Sequence, residues 1–414
     1  MASLNRRTAE RERVGESDHL IYFILQSERF TERPKIEPAL SAYEFVQNLN
    51  AQEKAQYLSE AARLPPVERL PASVSARLHD FINQIEKPAD DERLAYFKLF
   101  VQENRKPFRS SFQYLYAQYA RAMRFLYEKE FVSQGITDPR AATRYIASLY
   151  QNRGHSTDTQ IEANFVVYIS LAALKAELGW ARQLNNVLIV GPGLDFAPRT
   201  DLIDVIDPQS YQPFAVADAL IDLKLADARR LRIHCIDINE RVIGYLRRFP
   251  RQNPKRLALL SGVADSERQP LSPEYKRYFQ ALGKQIGTES PLDGLPRKYR
   301  SHLKKTLVVG GQAAGMVSAE KLNIVTERED SSTRYDLVVV TNVFPYFNST
   351  ELLLSLVNIE AMMVKGGYLI HNEPRQMLFS FSKLLDLPMI HARTELIRSG
   401  DPSPLYDAVW VHRK

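Results

Sequence analysis

The chain has 414 residues, of which 44% are hydrophobic and 25% are charged, and its formal net charge is +6. This length allows one large hydrophobic core or two moderate ones. The mild positive charge permits an anionic partner without requiring one. Cys235 is the single cysteine, which excludes an intrachain disulfide and is typical of a reducing compartment.

Targeting and membrane signals are not evident in the sequence. Residues Met1 to Glu16 are charged and are not followed by the apolar run of a secretory signal. The apolar run Leu20–Leu25 is far shorter than the roughly 20 residues that a transmembrane helix needs. We therefore expect a cytoplasmic protein without a membrane partner.

The first 160 residues are typical of a helical domain. Apolar residues recur at helical spacing in Ser41–Leu49, Ser73–Ile85 and Asp91–Val101, which are separated by proline-containing turns. The longest predicted helix is Ser110–Ser133. Its aromatic stripe would suit a substrate groove, but it is more typical of the core of a helix bundle. The stripe consists of Phe112, Tyr116, Tyr119, Met123 and Leu126.

A polar turn then leads into a second kind of domain, which we predict over residues 161–414. His155–Thr159 is typical of a turn that caps a new helix, predicted over Gln160–Leu178. That helix is apolar on nearly every side, so we expect it to be buried against a sheet. Arg153 and His155 would either cap this helix or close over a ligand.

From Asn186 onward, apolar strands alternate with helices. Strands are predicted at Val187–Val190, Leu231–Ile236, Asp336–Val340 and Gly367–Ile370. Helices are predicted at Pro213–Leu225, Glu240–Phe249 and Ser349–Met363. Such alternation indicates a parallel sheet that is covered by helices on both faces.

Two further segments modify this pattern. Residues from about 250 to 318 form a polar insertion, in which Arg297–Arg300 could contact phosphates but is more typical of solvated surface. Leu307–Gly311 looks like a phosphate-binding turn but has no acidic strand end after it, so we assign it to a hairpin. At the C terminus, Met389–Ile397 and Ala408–His412 predict a closing hairpin with an antiparallel strand.

The most informative motif is Gly191-Pro192-Gly193, which directly follows the strand Val187–Val190. Glycine accepts positive φ and allows the backbone to approach a bound group. Asp237 ends the next predicted strand about 45 residues later, where its carboxylate can accept both ribose hydroxyls of an adenosine. Asp195 either binds a ligand amino group or caps the next helix.

Downstream strand ends complete this edge of the sheet. One strand delivers Thr341 and Asn342, and the next enters through Lys365-Gly366-Gly367 and ends at His371. This order resembles the class I S-adenosylmethionine-dependent methyltransferases over about 186–414. An NAD-binding Rossmann domain shares the first glycine turn and the acidic strand end. It usually carries a third glycine, where this chain has Phe196, and it does not predict the terminal hairpin.

Within this superfamily the chain is similar to the CheR-type protein-glutamate methyltransferases. The matching segments are Ser272–Phe279, Leu322–Ile324, Asn342–Phe347 and His371–Glu373. The chain departs from that family after Gly193, where the family continues directly into Gly-Glu-Glu-Pro-Tyr-Ser. The nearest match, Gln212-Pro213-Phe214-Ala215, comes much later and lacks the glutamate. The resemblance therefore supports the cofactor fold more strongly than a glutamyl acceptor.

The resemblance implies an α/β fold: a doubly wound, mostly parallel seven-stranded sheet with a C-terminal antiparallel hairpin, preceded by an all-helical domain. It also implies S-adenosylmethionine as the cofactor. The cofactor-binding residues would be Gly191, Gly193, Asp195, Asp237, Ile238, Asn323, Ile324, Thr341 and Asn342. The catalytic candidates are Tyr346, which could orient an acceptor, and His371 and Glu373, which could act as a general base. We expect no metal site.

The predicted function is methyl transfer from S-adenosylmethionine to an O or N nucleophile. The sequence does not identify the acceptor, which would be a small molecule or a protein, and a nucleic acid is also compatible. Two alternatives stay open. One is a methyltransferase-like protein that binds a partner without catalysis, which the unusual residues after Gly193 favour. The other is an NAD-dependent oxidoreductase.

Overall fold

The computed structural model describes residues 2–87, 91–178, 183–194, 202–329, 332–400 and 404–414. Its helices are α1 (Ala2–Gln26), α2 (Pro38–Gln47), α3 (Ala51–Tyr57), α4 (Ala72–Ile85), α5 (Glu92–Asn104), α6 (Ser111–Tyr127), α7 (Pro139–Asn152), α8 (Ile161–Leu178), α9 (Gln212–Asp222), α10 (Glu240–Arg248), α11 (Pro273–Ala281), α12 (Gly311–Gly315), α13 (Ser349–Met362) and α14 (Gln376–Leu384). Its strands are β1 (Asn186–Val190), β2 (Arg232–Asp237), β3 (Arg256–Ala264), β4 (Gly287–Ser290), β5 (His302–Val309), β6 (Val317–Lys321), β7 (Tyr335–Val340), β8 (Met363–His371), β9 (Met389–Arg398) and β10 (Leu405–Arg413).

The chain divides into two compact units. One comprises Met1–Thr8, Thr157–Phe196 and Ile206–Lys414, and the other comprises Ala9–Ser156 and Ala197–Val205. Among the helices of the described residues, none combines the length and the apolarity that crossing a bilayer demands.

The second unit is a bundle of helices with an aromatic core. Phe23, Phe45, Phe81 and Tyr119 are all fully buried there. Four of the five residues of the stripe on α6 belong to this core, as predicted: Tyr116, Tyr119, Met123 and Leu126 are each at most 4% exposed. Phe112 is partly exposed. The helices begin at local caps, such as Ser110, whose hydroxyl accepts the N–H of Gln113 at 3.2 Å.

Arg77 satisfies the carbonyl groups at the end of α1. Its guanidinium is fully buried and donates hydrogen bonds to the carbonyl oxygens of Ile24 at 2.6 Å, Arg33 at 2.8 Å and Pro34 at 3.0 Å, and also to that of Ser27. The last carbonyls of a helix have no partner within it, so a buried helix end needs donors of this kind. Arg77 thereby fixes how the chain leaves α1.

The first unit is built on a seven-stranded sheet with the order β6-β2-β1-β7-β8-β10-β9. The strands from β6 to β8 are parallel, and β10 runs antiparallel to both β8 and β9. The central strands are buried on both faces, which explains why they are continuous apolar runs. The predicted fold class, including the closing hairpin, is confirmed.

The insertion after α10 is a folded structure and not a solvated excursion. It contains a separate antiparallel sheet with the order β3-β5-β4. Leu307 lies in β5, so its segment belongs to a hairpin as predicted. Gln209 extends this sheet with its side-chain amide, because Ala258 donates its N–H to Oε1 at 2.9 Å and accepts from Nε2 at 2.5 Å.

Candidate functional site

The register of the parallel strands brings their carboxyl ends to one edge. Val190 lies beside Ile236 on one side and beside Val340 on the other. Asp237 pairs with Lys321, and Val340 pairs with His371. The residues that follow these strands therefore leave the sheet at the same level, which is where doubly wound sheets bind their ligands.

The turn after β1 requires glycine at two positions. Gly191 has φ +68° and Gly193 has φ +67°, a region that residues with a side chain rarely adopt. A Cβ atom on Gly191 would lie 2.5 Å from Cγ2 of Val343, and one on Gly193 would lie 2.7 Å from the carbonyl oxygen of Thr157. The positive φ expected of this turn is confirmed, and its backbone lies directly against the start of the segment that leads into α8.

Asp237 ends β2 next to this turn. Its Oδ1 accepts the N–H of Asn239 at 2.8 Å, and Asn239 in turn caps α10 by accepting the N–H of Arg241 at 2.9 Å. Asp237 is 9% exposed, so its carboxylate is held in place at the boundary of the core. Asp195, the other predicted acidic ligand, lies outside the described residues.

The segment after β6 carries two more predicted residues. Asn323 donates from Nδ2 to Oδ1 of Asn5 at 3.1 Å and to Oγ1 of Thr8 at 3.3 Å. Ile324 is 4% exposed and packs in the apolar cluster that also contains Val190. Ile238 is partly exposed just beyond β2. The structure thus brings this segment to the same edge, because Leu322 donates its N–H to the carbonyl oxygen of Asp237 at 3.1 Å.

The ends of β7 and β8 are held by side-chain amides. Gln212, at the start of α9, donates from Nε2 to Oγ1 of Thr341 at 2.7 Å. Asn342 adopts φ +60° and is bonded to Asn372, which follows β8. Gln212 is the first residue of the segment that is the nearest match to the CheR-type pattern, and it contacts one of the predicted cofactor-binding residues.

The catalytic candidates His371 and Glu373 lie in the interior. His371 is fully buried, its Nδ1 accepts the N–H of Glu373 at 3.1 Å, and its ring centroid is 5.0 Å from that of His412. Burial, with a smaller contribution from His412, lowers the pKa of His371 well below its usual value. A neutral His371 is therefore expected throughout the physiological range.

Glu373 connects His371 to the segment that contains Tyr346, the third catalytic candidate. It is 2% exposed and forms a 3.0 Å ion pair with Arg375, which also donates to the carbonyl oxygen of Phe347 at 2.6 Å. Tyr346 lies in the same short helical turn and is partly buried against the apolar cluster. The ion pair of Glu373 with Arg375, and the bond from Arg375 to Phe347, hold the short helix that contains Tyr346.

An acidic cluster of Glu162 and Asp407 lies at the same end of the unit, and no sequence motif singles it out. Glu162, in the first turn of α8, accepts the O–H of Tyr275 at 2.7 Å and the N–H of Gly262 at 2.9 Å. Burial raises the pKa of Glu162, and burial, together with the negative charge of Glu162, raises the pKa of Asp407 to about 6. The available signal was an acid in the first turn of a helix that is apolar on nearly every side.

Comparisons with known proteins find only distant structural similarity. No protein-family model and no curated protein sequence matches the chain. The N-methyltransferase NodS of Bradyrhizobium japonicum, in complex with S-adenosylhomocysteine, is 14% identical, with 60% of this chain and 86% of that chain covered and a TM-score of 0.28. The magnesium protoporphyrin IX methyltransferase of Synechocystis with bound S-adenosylmethionine is 10% identical, with 69% and 97% covered and a TM-score of 0.29.

Because these identities and scores are low, the fold is assigned from the strand order of the chain itself. Five parallel strands wind in both directions from β1, and an antiparallel hairpin closes the sheet beyond β8. This is the strand arrangement that the resemblance to the class I S-adenosylmethionine-dependent methyltransferases implies. The antiparallel hairpin is not expected in an NAD-binding Rossmann domain.

Proposed function

We propose that this protein transfers a methyl group from S-adenosylmethionine to an O or N nucleophile. The observation that carries the proposal is the left-handed glycine turn after β1 beside Asp237 at the end of β2, in a sheet closed by an antiparallel hairpin. The turn lacks room for any side chain at Gly191 or Gly193, so main-chain atoms form its surface.

These residues fit the chemical groups of the cofactor. The main chain at Gly191 and Gly193 would approach the methionine end, and the Asp237 carboxylate would accept the two ribose hydroxyls through charge-assisted hydrogen bonds. Ile238, Asn323 and Ile324 would flank the adenine. Thr341 and Asn342 would lie on the side where the acceptor enters.

When bound, S-adenosylmethionine supplies an electrophilic methyl group. The contribution of the chain is to align the acceptor with that group and to exclude water. Tyr346 would orient the acceptor, and the buried pair His371 and Glu373 would keep its helical turn in place. A carboxylate acceptor would need no base, because it is already anionic.

The decisive measurement is the affinity for S-adenosylhomocysteine by isothermal titration calorimetry. Asp237→Ala should weaken binding about 100-fold or more, because two charge-assisted hydrogen bonds are lost. Asp237→Asn keeps an acceptor for the N–H of Asn239 and should still bind weakly. Glu240→Gln is the matched control, since Glu240 is an exposed acid three positions further on, and its affinity should stay within about twofold of wild type.

The alternatives predict different results in the same set of assays. Binding of NADH without binding of S-adenosylhomocysteine would establish the oxidoreductase. If the cofactor binds, tritiated methyl transfer into cell extract before and after protease or nuclease treatment identifies the acceptor as small molecule, protein or nucleic acid. Tight binding with no transfer into any of these pools would favour the non-catalytic binding protein.

A further inference from the structure

We propose that His234, Glu320 and Glu329 bind a divalent transition-metal ion such as Zn²⁺. Each residue offers one ligand atom, and these atoms all lie within 4.8 Å of one another. Nε2 of His234 is 3.7 Å from Oε2 of Glu320. An ion about 2.0–2.2 Å from each ligand holds such atoms about 3.3 Å apart, so small side-chain rotations would complete the coordination.

The imidazole of His234 is already oriented for a metal. Its Nδ1 lies 2.9 Å from Oγ of Ser318, and that hydroxyl donates to the carbonyl oxygen of Ile233 at 3.4 Å. The hydroxyl can therefore accept from an Nδ1–H group, and in that tautomer the lone pair on Nε2 is available to a metal ion. A hydrogen bond from the second ring nitrogen is the usual way in which proteins fix a metal-binding histidine.

No donor among the described residues forms a hydrogen bond with Nε2 of His234. This atom is also shielded from solvent. It faces carboxylate oxygens, which are acceptors, so either a proton or a metal ion must lie between them. A metal ion would satisfy the nitrogen and the two carboxylates together.

Glu329 is held in a similar way. Its Oε2 accepts the O–H of Tyr335, and the ring of Tyr335 lies nearly parallel to the imidazole of His234, with an angle of 12° between the planes. Tyr335 is 3% exposed, so it is a fixed partner that orients two of the three ligands at once.

The ligand types and their positions indicate which metal is bound and what it does. One imidazole and two carboxylates suit Zn²⁺ and its neighbours better than Mg²⁺ or Ca²⁺, which prefer oxygen ligands alone. The ligands come from β2, from the edge strand β6 and from the segment that leads to β7. The ion would therefore crosslink the open edge of the sheet, and the proposal does not depend on the proposed methyl transfer.

The test uses the full chain after chelator treatment, with Zn²⁺ or Co²⁺ alone as the probe. One equivalent of Co²⁺ should give a visible absorption band, and Zn²⁺ should displace it and raise the melting temperature. His234→Gln should weaken Zn²⁺ binding about 100-fold, and Ser318→Ala, which keeps all three ligands, should weaken it about tenfold.

Two matched controls remove the same residue types elsewhere. His79→Gln and Glu274→Gln should change the affinity for Zn²⁺ by less than about twofold, since neither residue belongs to the cluster. Glu320→Gln changes a half-exposed side chain, so it tests the site even if His234→Gln fails to fold. A wild-type chain that binds no stoichiometric Zn²⁺ would overturn the proposal, as would full affinity in Glu320→Gln or His234→Gln.

Discussion

Asn342 and Asn372 exchange two hydrogen bonds across the carboxyl ends of β7 and β8. The N–H of Asn342 donates to Oδ1 of Asn372 at 2.8 Å, and Nδ2 of Asn372 donates to Oδ1 of Asn342 at 2.8 Å. Asn342 is in the left-handed region, which asparagine tolerates better than most residues with a side chain. The pair fixes the backbone at the position where the proposed acceptor enters.

This geometry predicts an unusual order of stability at position 342. Asn342→Gly loses the side-chain acceptor but suits the positive φ, whereas Asn342→Ala loses the acceptor and also meets the left-handed strain. We expect the alanine variant to be about 1 kcal/mol less stable than the glycine variant, as measured by urea denaturation. Equal stabilities, or a more stable alanine variant, would contradict the left-handed assignment.

The two glycines of the turn should respond differently to substitution by alanine. The new Cβ of Gly193→Ala would lie against a backbone oxygen of Thr157, which cannot move without shifting the chain, whereas that of Gly191→Ala would lie against a side-chain methyl group of Val343, which can shift without moving the backbone. We expect Gly193→Ala to cost more than about 2 kcal/mol and to weaken S-adenosylhomocysteine binding more than Gly191→Ala does.

Two further variants separate steric contact from backbone strain in that experiment. Gly294 has φ +78° and open space around it, so Gly294→Ala reports the cost of φ alone, about 1 kcal/mol. Val343→Ala should recover part of the loss in Gly191→Ala, because it removes the atom in contact. If Gly193→Ala lowers the free energy of unfolding in urea by no more than Gly294→Ala does, position 193 does not lie as close to Thr157 as the structure shows.

Asp407 should make the folded state less stable as the pH rises. Its pKa is raised to about 6, from 3.8, mainly by burial. Between these pH values the folded state binds more protons than the unfolded state. The contribution of Asp407 to the free energy of unfolding therefore falls between about pH 4 and about pH 6, and it stays low above pH 6. Asp407→Asn keeps the acceptor for the N–H of Ala408 and should remove this dependence.

The check is chemical denaturation of both proteins between pH 4 and pH 8. Relative to wild type, Asp407→Asn should gain about 2 kcal/mol over that range, and most of the gain should appear below about pH 6. For the control Asp293→Asn, at an exposed position, the difference in free energy of unfolding from wild type should not change with pH. A constant difference between Asp407→Asn and wild type would show that the carboxyl group titrates normally.

The sequence predicts the strands whose residues are buried on both faces, and it misses β6, one of the two edge strands. Val187–Val190 and Leu337–Val340 are continuous apolar runs, and every one of these residues is buried in β1 and β7. β6 reads Val-Ser-Ala-Glu-Lys and exposes most of its side chains, so its apolar pattern is too weak to separate it from the insertion. Pairing with β2 makes it a strand.

The same distinction applies to the candidate site. The glycine turn and Asp237 follow directly from local sequence, because each lies next to the strand that positions it. Asn323 bonds to Asn5, and Glu162 bonds to Tyr275, although the partners lie 318 and 113 residues apart in the sequence. Periodicity and motif spacing carry no information about such contacts, which depend on the packing of the complete fold.

The bond between Glu162 and Tyr275 provides a final test of the acidic cluster. Tyr275→Phe deletes only the hydroxyl, and Glu162→Gln retains a carbonyl oxygen that can accept from both Tyr275 and Gly262. We expect Tyr275→Phe to cost about 1–2 kcal/mol, because a buried acceptor loses a partner. In the background of Glu162→Ala, which has no acceptor, the same change should cost about 1 kcal/mol less. A double-mutant cycle by urea denaturation measures this coupling, and a coupling of zero would show that the two side chains do not interact.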